Sequence, residues 1–167
     1  MATISLHGNP IHTKGELPVK NAPALDFELV KDDLSVATLE DFKGSRLVLN
    51  IFPSIDTPTC AQSVRQFNQK AAGLKNTKVI NISRDLPFAQ KRFCAAEGIE
   101  NVLNLSDFKT GRFGKDYGVE LVDGKMAGLH ARAVIVLDAK GIIIHTELVT
   151  ELSAEPDYEA AIAALQS

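Results

Sequence analysis

The stretch from residue 47 to residue 67, LVLNIFPSIDTPTCAQSVRQF, constrains the fold more than any other part of the chain. It begins with a short run of mostly apolar residues, a pattern that predicts a strand buried on both faces. Pro53 ends that strand, because proline has no N–H to offer a neighbouring strand. A helix then begins, with Thr57 as its N-cap and Pro58 as its first residue. Cys60 therefore lies in the first helical turn.

Cys60 shares its predicted helix face with an apolar series, Val64, Phe67 and Ala71. A cysteine on such a face is usually a small buried hydrophobe without reactivity. The start of a helix, however, carries partial positive charge and unpaired N–H groups, which stabilise a thiolate over a thiol. The thiolate is the reactive form. The first-turn position therefore favours a cysteine nucleophile over a packing residue.

Composition excludes several classes of protein. The chain has 167 residues, of which 45% are hydrophobic and 23% charged, as in ordinary globular proteins. Its net charge is −3 and it has no long basic run, so neither nucleic acid nor an anionic membrane is expected as a partner. We expect no signal peptide and no membrane span. Two cysteines are too few for the disulfide framework of a small secreted protein.

The remaining apolar runs and turn residues alternate between strand and helix patterns. We predict an N-terminal hairpin within residues 1–14, strands at residues 24–30, 77–83 and 102–106, a helical turn at 39–42, helices at 85–97 and 110–117, a β-hairpin at 133–138 and 142–149, and a C-terminal helix after Pro156. Strands that alternate with helices before a final hairpin indicate an α/β fold with a mixed sheet. We expect residues 1–167 to form a single domain.

The second cysteine, Cys94, lies in the helix predicted at residues 85–97. At ~100° per residue, four residues of this helix share one apolar face: Phe88, Ala89, Phe93 and Ala96. Cys94 points away from that face, which predicts an accessible thiol, either with a role there or as a plain surface residue. Its separation from Cys60 excludes a metal-binding C-x-x-C pair.

Arg132 comes directly before the strand predicted at residues 133–138. An arginine at a strand start is usually solvated, but beside a cysteine it would stabilise a thiolate and orient an oxygen-containing substrate. The histidines are scattered without ligand spacing, and we predict all four at the surface or in hairpins: His7, His12, His130 and His145. No glycine-rich phosphate loop follows a strand, and we expect neither a cofactor nor a metal.

Several motifs of the sequence resemble those of a known family. The pattern Pro53-x-x-x-Thr57-x-x-Cys60 resembles the peroxidatic motif of peroxiredoxins. Four longer strings resemble the thiol peroxidase subgroup, an atypical two-cysteine group: NIFPSIDTPTCAQSVRQFNQ, DLPFAQKRFC, GLHARAVIVLD and VTELSAEPDYEAA. With the N-terminal hairpin, the resemblance covers nearly the whole chain.

The resemblance implies a thioredoxin-like fold, a central mixed sheet flanked by helices, in which Cys60 attacks the peroxide. Thr57 and Arg132 match the activating residues of the family, and Pro53 matches its shield over the thiolate. Cys94 matches the resolving cysteine, which forms an intramolecular disulfide that thioredoxin reduces. Such proteins are usually cytoplasmic homodimers of bacteria. The apolar-rich loop at residues 121–129 suggests a hydrophobic pocket, and hence a preference for alkyl or lipid hydroperoxides over hydrogen peroxide.

Two other functions that use a pair of cysteines are alternatives to peroxide reduction. A disulfide oxidoreductase of the same fold needs C-x-x-C, whereas this chain has Thr57 at the position of the first thiol. A redox sensor or binding module would use the pair to change partners. Turnover separates these functions, because an enzyme consumes many equivalents of peroxide per chain and a sensor consumes one.

Overall fold

The computed structural model describes residues 1–166. Within them the chain forms nine strands, four α-helices and one short 3-10 helix. The strands are β1 Thr3–Leu6, β2 Asn9–His12, β3 Glu28–Val30, β4 Val36–Thr38, β5 Arg46–Ile51, β6 Thr77–Ser83, β7 Val102–Ser106, β8 Ala133–Leu137 and β9 Ile143–Leu148. The helices are α1 Pro58–Ala71, α2 Pro87–Glu97, α3 Arg112–Asp116 and α4 Tyr158–Gln166, and the 3-10 helix is Leu39–Phe42.

Seven of these strands form one mixed sheet, in the order β4-β3-β7-β6-β5-β8-β9. The three central strands β5, β6 and β7 are parallel, and β8 is antiparallel to β5. Strands β1 and β2 form a separate two-stranded hairpin. The predicted mixed sheet and N-terminal hairpin are therefore confirmed. Where the structure has the hairpin β3–β4, only one strand was predicted, at residues 24–30. Strand β3 begins later than that prediction, at Glu28.

Helices cover both faces of the sheet, and successive strand residues alternate between them. On one face, Val48 and Val134 pack with side chains of α1 and α4. On the other face, Leu49 and Ile135 pack in a cluster that includes Phe113 of α3. Strand β5 is therefore buried on both sides, as its continuous apolar run predicts.

The direction of the strands brings distant parts of the sequence to one edge. The carboxyl ends of the parallel strands β5 and β6 lie at the same edge, and Ala133 at the start of β8 pairs with Ile51 at the end of β5. The loop after β5, the turn after β6 and the residue before β8 therefore meet. Cys60 lies in the first turn of the helix that follows the loop after β5. Asp85 lies in the turn after β6, and Arg132 is the residue before β8.

The predicted apolar face of α2 is wrong. Phe88 is 64% exposed, whereas Pro87, Gln90 and Cys94 form the buried stripe. Gln90 can be buried because its amide donates to Ser83 Oγ and to the Leu105 carbonyl at 3.2 and 3.1 Å. A polar side chain inside the buried stripe is the reason that apolar periodicity gave the wrong face. Cys94 is consequently buried and not accessible.

The end of α2 follows its sequence signal closely. Gly98 adopts the left-handed conformation, with φ of 65°, and the next residue, Ile99, donates its N–H to the Cys94 carbonyl at 2.9 Å. Glycine is suited to this position because it has no Cβ. No helix in residues 1–166 combines the length and the apolar character required to cross a membrane.

Candidate active site

Cys60 lies in the first turn of α1, in the position that the sequence predicts. Thr57 is the N-cap and Pro58 the first helical residue. The Cys60 side chain is fully buried in an apolar cluster that includes Ile55 and Val64. Its sulfur lies 3.4 Å from Nη1 of Arg132. A thiol at a helix start is therefore in contact with a guanidinium group.

The guanidinium of Arg132 is held by one backbone carbonyl. Arg132 is only 2% exposed, and its Nε and Nη2 donate to the Leu152 carbonyl oxygen at 3.0 and 2.9 Å. Within residues 1–166 it forms no ion pair with a carboxylate. Arg132 therefore contacts a cysteine and is not solvated, although an arginine at a strand start usually is. The Cys60 sulfur, and not a carboxylate, is therefore the neighbour of this buried cation.

The carbonyl of Leu152 is fixed in turn by the N-terminal hairpin. Leu152 N–H donates to the Ser5 carbonyl at 2.8 Å. The Glu151 carboxylate accepts hydrogen bonds from the Ser153 side chain and N–H, from Gly8 N–H and from the Ser5 hydroxyl. These bonds, those from Ser153 above all, lower the pKa of Glu151 to about 2. Strand β1 therefore supports the position of Arg132 from outside the central sheet.

Pro53 and Thr57 lie in the loop that carries Cys60 from the sheet. Pro53 is buried at the start of the loop. The Thr57 hydroxyl donates to the Ser54 carbonyl at 3.0 Å. In the part of the chain that the structure describes, this hydroxyl forms no hydrogen bond with the Cys60 sulfur. The structure thus brings Pro53, Thr57, Cys60 and Arg132 to one edge of the sheet, with the Thr57 hydroxyl bonded within its own loop.

Asp85 holds the same loop and was not predicted as a site residue. Its carboxylate accepts a hydrogen bond from the Ser54 hydroxyl at 2.7 Å and from Ile55 N–H at 2.7 Å. It also accepts from the Ser83 hydroxyl at 2.6 Å. The sequence suggested only that Asp85 opens α2. Its position two residues after β6, beside the carboxyl end of β5, was the available signal for a role at this edge.

We expect Asp85→Asn to reduce the catalytic efficiency of peroxide reduction by roughly 10- to 100-fold. The amide replaces one acceptor oxygen by a donor, so Ser54 or Ile55 loses its partner and the loop before Cys60 loosens. A hydrogen bond to a charged group contributes about 1.5–3 kcal/mol. The measurements are the initial rate of peroxide reduction and the free energy of unfolding in urea.

Asp56→Asn is the matched control for this prediction. Asp56 lies in the same loop but is exposed, and within residues 1–166 its carboxylate pairs only with the exposed Arg92, at 3.3 Å. Exposed ion pairs contribute little. Asp56→Asn should therefore leave the rate unchanged within about twofold. Equal losses in the two variants would mean that Asp85 has no particular role in holding the loop.

Cys94 approaches the same region from α2. It is 9% exposed and belongs to the apolar cluster that contains Cys60, and both cysteines are free thiols. Asn104 Nδ2 donates to the Cys94 sulfur at 3.2 Å. Burial raises the pKa of Cys94, and the nearby Asp32 adds to this, while the Asn104 hydrogen bond opposes it. In this state Cys94 is a protected thiol.

The surface position predicted for His130 is wrong. His130 is fully buried, and its Nε2 lies 2.9 Å from Oδ2 of Asp107. Asp107 also accepts the backbone N–H groups of Phe113 and Gly114 at the start of α3. His130 therefore connects the segment before Arg132 to the opposite layer of the fold. An isolated histidine beside apolar residues gave no sequence signal of this pairing.

An open groove of about 400 Å³ runs beside the first turn of α1. It is lined by Pro58, Thr59, Gln62, Ser153, Ala154 and Glu155. The Thr59 hydroxyl donates across it to the Ser153 carbonyl at 3.0 Å. The groove lies next to Cys60 in the chain, but the Cys60 side chain has no exposed surface in it. A substrate therefore reaches the sulfur only when the surrounding segments move.

This geometry, a buried cysteine in a helix start beside an arginine, agrees with the comparisons with known proteins. The redoxin family model matches residues 19–162. The thiol peroxidase of Mycobacterium tuberculosis is 55% identical over 165 residues, which cover 99% of both chains. The chain belongs to the thiol peroxidases of the redoxin family. The thiol peroxidase of Corynebacterium glutamicum is 52% identical over 99% of both chains.

Solved structures agree with this assignment. The crystal structure of a peroxiredoxin-like protein from Aquifex aeolicus superposes with a TM-score of 0.93 at 35% identity and covers 99% of this chain and 96% of its own. The thioredoxin-like fold implied by the sequence resemblance is therefore confirmed. As a thiol peroxidase, the chain is an oxidoreductase that acts on peroxide.

Proposed function

We propose that this thiol peroxidase reduces hydroperoxides through Cys60, that Cys94 resolves the product as an intramolecular disulfide, and that thioredoxin restores both thiols. The observation that carries the proposal is the 3.4 Å contact between the Cys60 sulfur and the Arg132 guanidinium. A buried cation beside a sulfur stabilises negative charge on that sulfur and on an oxygen bound next to it.

The chemistry balances in two steps. The Cys60 thiolate attacks one peroxide oxygen, an S–O bond forms and the O–O bond breaks. The second oxygen leaves with the bonding pair and takes up a proton to give water or an alcohol, and Cys60 becomes a sulfenic acid. The Cys94 sulfur then attacks the sulfenic sulfur. An S–S bond forms, the S–O bond breaks, and the hydroxyl leaves as water with the proton of Cys94.

Stabilising the thiolate accounts for only part of the rate. A free cysteine is a few per cent ionised at neutral pH, so full ionisation gains at most roughly 30-fold. The rest comes from holding the peroxide in line and from stabilising charge on the departing oxygen. We assign these tasks to the Arg132 guanidinium, the Cys60 N–H and the Thr57 hydroxyl, which must first release the Ser54 carbonyl. We assign to Pro53 the task of covering the sulfur.

Arg132→Met tests the assigned role of the guanidinium. Methionine fills a similar volume but removes the charge and the donors to Leu152. We expect catalytic efficiency to fall by roughly 100-fold or more, above the ~30-fold ceiling for ionisation alone. The rate of Cys60 oxidation should be followed by stopped flow over a range of pH. A loss that disappears at high pH, where any thiol is ionised, would show that Arg132 acts on ionisation only.

Arg132→Lys and Thr57→Val are companion variants. Lysine keeps a positive charge but lacks the fork that binds the Leu152 carbonyl, so we expect an intermediate loss. Valine replaces the Thr57 hydroxyl by a methyl group and should also exceed the ionisation ceiling. If Thr57→Val retained nearly full efficiency, the hydroxyl would have no part in orienting the peroxide.

We propose a preference for alkyl over hydrogen peroxide. The sulfur lies among Phe52, Ile55 and Val64, so a substrate that reaches it meets apolar side chains. Each buried methylene favours binding by about 0.8 kcal/mol. The test is NADPH consumption by the purified protein with thioredoxin and thioredoxin reductase, with hydrogen peroxide or a bulky alkyl hydroperoxide as substrate. Equal efficiency with both substrates contradicts the preference, and consumption of a single equivalent per chain indicates a redox sensor.

We propose that a helix opens before the two thiols meet. A disulfide requires Cα atoms within roughly 7 Å, whereas both cysteines are held in separate, folded helices. The last turn of α2 has little buried surface to hold it in place, because residues 95–98 are all exposed. We expect the disulfide form to show faster amide exchange than the dithiol form in that turn and in the first turn of α1. Strand β5 is the internal control. Equal exchange in both forms would exclude unwinding.

We propose a homodimer in the cytoplasm, on the basis of the resemblance to the family. A cycle that consumes dithiol at each turnover needs a reducing compartment. Leu121 of the loop at residues 121–129 packs inward against Ile4 and Ile11 of the hairpin, while Val122 is 41% exposed. Sedimentation at micromolar concentration tests the dimer, and a monomer would contradict it.

A further inference from the structure

Three asparagines form a row across the face of the sheet that α1 and α2 cover. Asn50, Asn81 and Asn104 occupy matching positions on the parallel strands β5, β6 and β7, where they pair in register. All three are buried, with exposures of 0%, 0% and 5%. Asn50 Nδ2 donates to Asn81 Oδ1 at 3.1 Å, and Asn81 Nδ2 donates to Asn104 Oδ1 at 3.1 Å.

The row ends at the two cysteines. At one end, Asn104 Nδ2 donates to the Cys94 sulfur at 3.2 Å. At the other end, Asn50 Nδ2 donates to the Ser63 hydroxyl at 3.2 Å, and that hydroxyl donates to the Cys60 carbonyl at 2.7 Å. Every donor points outward from Asn50. A continuous hydrogen-bonded path therefore joins the backbone of Cys60 to the thiol of Cys94.

Packing alone does not account for this row. The positions two residues earlier on the same three strands are Val48, Val79 and Val102, so the same face accepts valine. Burying an amide has a desolvation cost that only hydrogen bonds offset. In this row the hydrogen bonds strengthen one another, and the last of them gives the Cys94 sulfur a donor in a fixed position.

We propose that the asparagine row positions Cys94: it holds the reduced thiol in the interior and thereby sets how fast Cys94 is released to attack the Cys60 sulfenic acid. The proposal rests on the proposed function of the two cysteines. The S–S bond forms, and the S–O bond breaks, only after the Asn104 hydrogen bond to sulfur has broken and α2 has opened. The three asparagines are positioning residues, since none takes part in the bond changes.

Asn81→Leu is the most informative variant, because within residues 1–166 the Asn81 side chain hydrogen-bonds to asparagines and to neither cysteine. Leucine has the same branched outline of heavy atoms, although it is larger, and it removes both bonds of the row at its centre. In a Cys60→Ser background, alkylation of Cys94 by iodoacetamide reports how often the thiol is released. In the chain with both cysteines, one equivalent of peroxide followed by acid quenching reports the rate of disulfide formation.

We expect both rates to rise about 3- to 10-fold in Asn81→Leu, because Asn104 then loses the neighbour that orients its donor to sulfur. This factor corresponds to the net loss of one hydrogen bond at Cys94. The rate at which peroxide oxidises Cys60 should not change. The alkylation rate should rise throughout the pH range in which it is measured, because the thiol reacts once it is released into water. Asn104→Leu, which removes the donor to sulfur itself, should give the same result and serves if Asn81→Leu does not fold.

Val79→Ala is the matched control. Val79 lies on the same strand and face as Asn81 and is equally buried, at 1% exposed, so its truncation destabilises the sheet without changing the row. Rates in Asn81→Leu that equal those of the unsubstituted chain or of Val79→Ala would overturn the proposal. Slower alkylation in Asn81→Leu would also overturn it, since the row would then favour the reaction of Cys94 and not its retention in the interior. If the unsubstituted chain forms no disulfide, the proposed function fails, while the alkylation rates still test the row.

Discussion

Cys60→Ser is expected to abolish peroxide reduction, with a loss on the order of 10⁴-fold or more, because the variant lacks the nucleophile. Serine is close to cysteine in size, and its hydroxyl can accept the hydrogen bond that Arg132 now directs at sulfur. The fold should therefore survive, with a cost of about 1–2 kcal/mol in the free energy of unfolding. The measurements are peroxide consumption and a urea unfolding curve.

Thr59→Ser is the control for this variant. It is the neighbouring residue, and serine keeps the hydroxyl that donates to the Ser153 carbonyl. Its activity should remain within about twofold of that of the unsubstituted chain. Substantial turnover by Cys60→Ser would mean that another group attacks the peroxide, and the assignment of the nucleophile would be wrong.

The second large effect is expected for Cys94→Ser. Its first turnover with peroxide should be as fast as in the unsubstituted chain, because Cys94 has no contact with the Arg132 guanidinium in the described structure. Thioredoxin-coupled turnover should then fall by on the order of 10²-fold or more, since no disulfide forms. With excess peroxide, Cys60 should accumulate as sulfenic and then sulfinic acid. Stopped flow measures the first turnover, and NADPH consumption measures the cycle.

Serine is a fair replacement at this position, because its hydroxyl can accept the hydrogen bond that Asn104 now donates to sulfur. The row of asparagines should remain intact, so that a loss of cycling reflects the missing thiol. Normal cycling of Cys94→Ser with thioredoxin would show that the chain works with Cys60 alone.

The sequence predicted the parts of this site that depend on local signals. Pro53 ends a buried strand, Thr57 and Pro58 begin a helix, and Gly98 ends another, because each residue type acts on its own backbone or on the next turn. The position of Cys60 at a helix start follows from these signals. The contact with Arg132 could be expected only in part, since it depends on β8 running antiparallel beside β5.

Other parts of the site depend on contacts between distant segments. The face of α2 was predicted wrongly because the Gln90 amide nitrogen donates to Ser83 and to the Leu105 carbonyl, which no count of apolar residues detects. The burial of His130 depends on Asp107, at the end of another strand. Local periodicity carries no information on such partners.

The asparagine row did leave a signal in the sequence. Each of three apolar runs, LVLNIF, KVINIS and VLNLS, contains one asparagine near its middle. An amide inside a buried strand needs a partner, and three of them on parallel strands can serve one another. Their alignment could not be deduced without the register of β5, β6 and β7, which the structure supplies.

Intact-mass analysis with peptide mapping, after one equivalent of peroxide and without reductant, tests the central claim most directly. If Cys60 attacks the peroxide and Cys94 resolves it, the monomer mass should fall by two hydrogen atoms. One disulfide should then join the peptides that contain Cys60 and Cys94, and thioredoxin should reverse the change. A monomer that gains oxygen at Cys60 while Cys94 remains a free thiol would contradict the account.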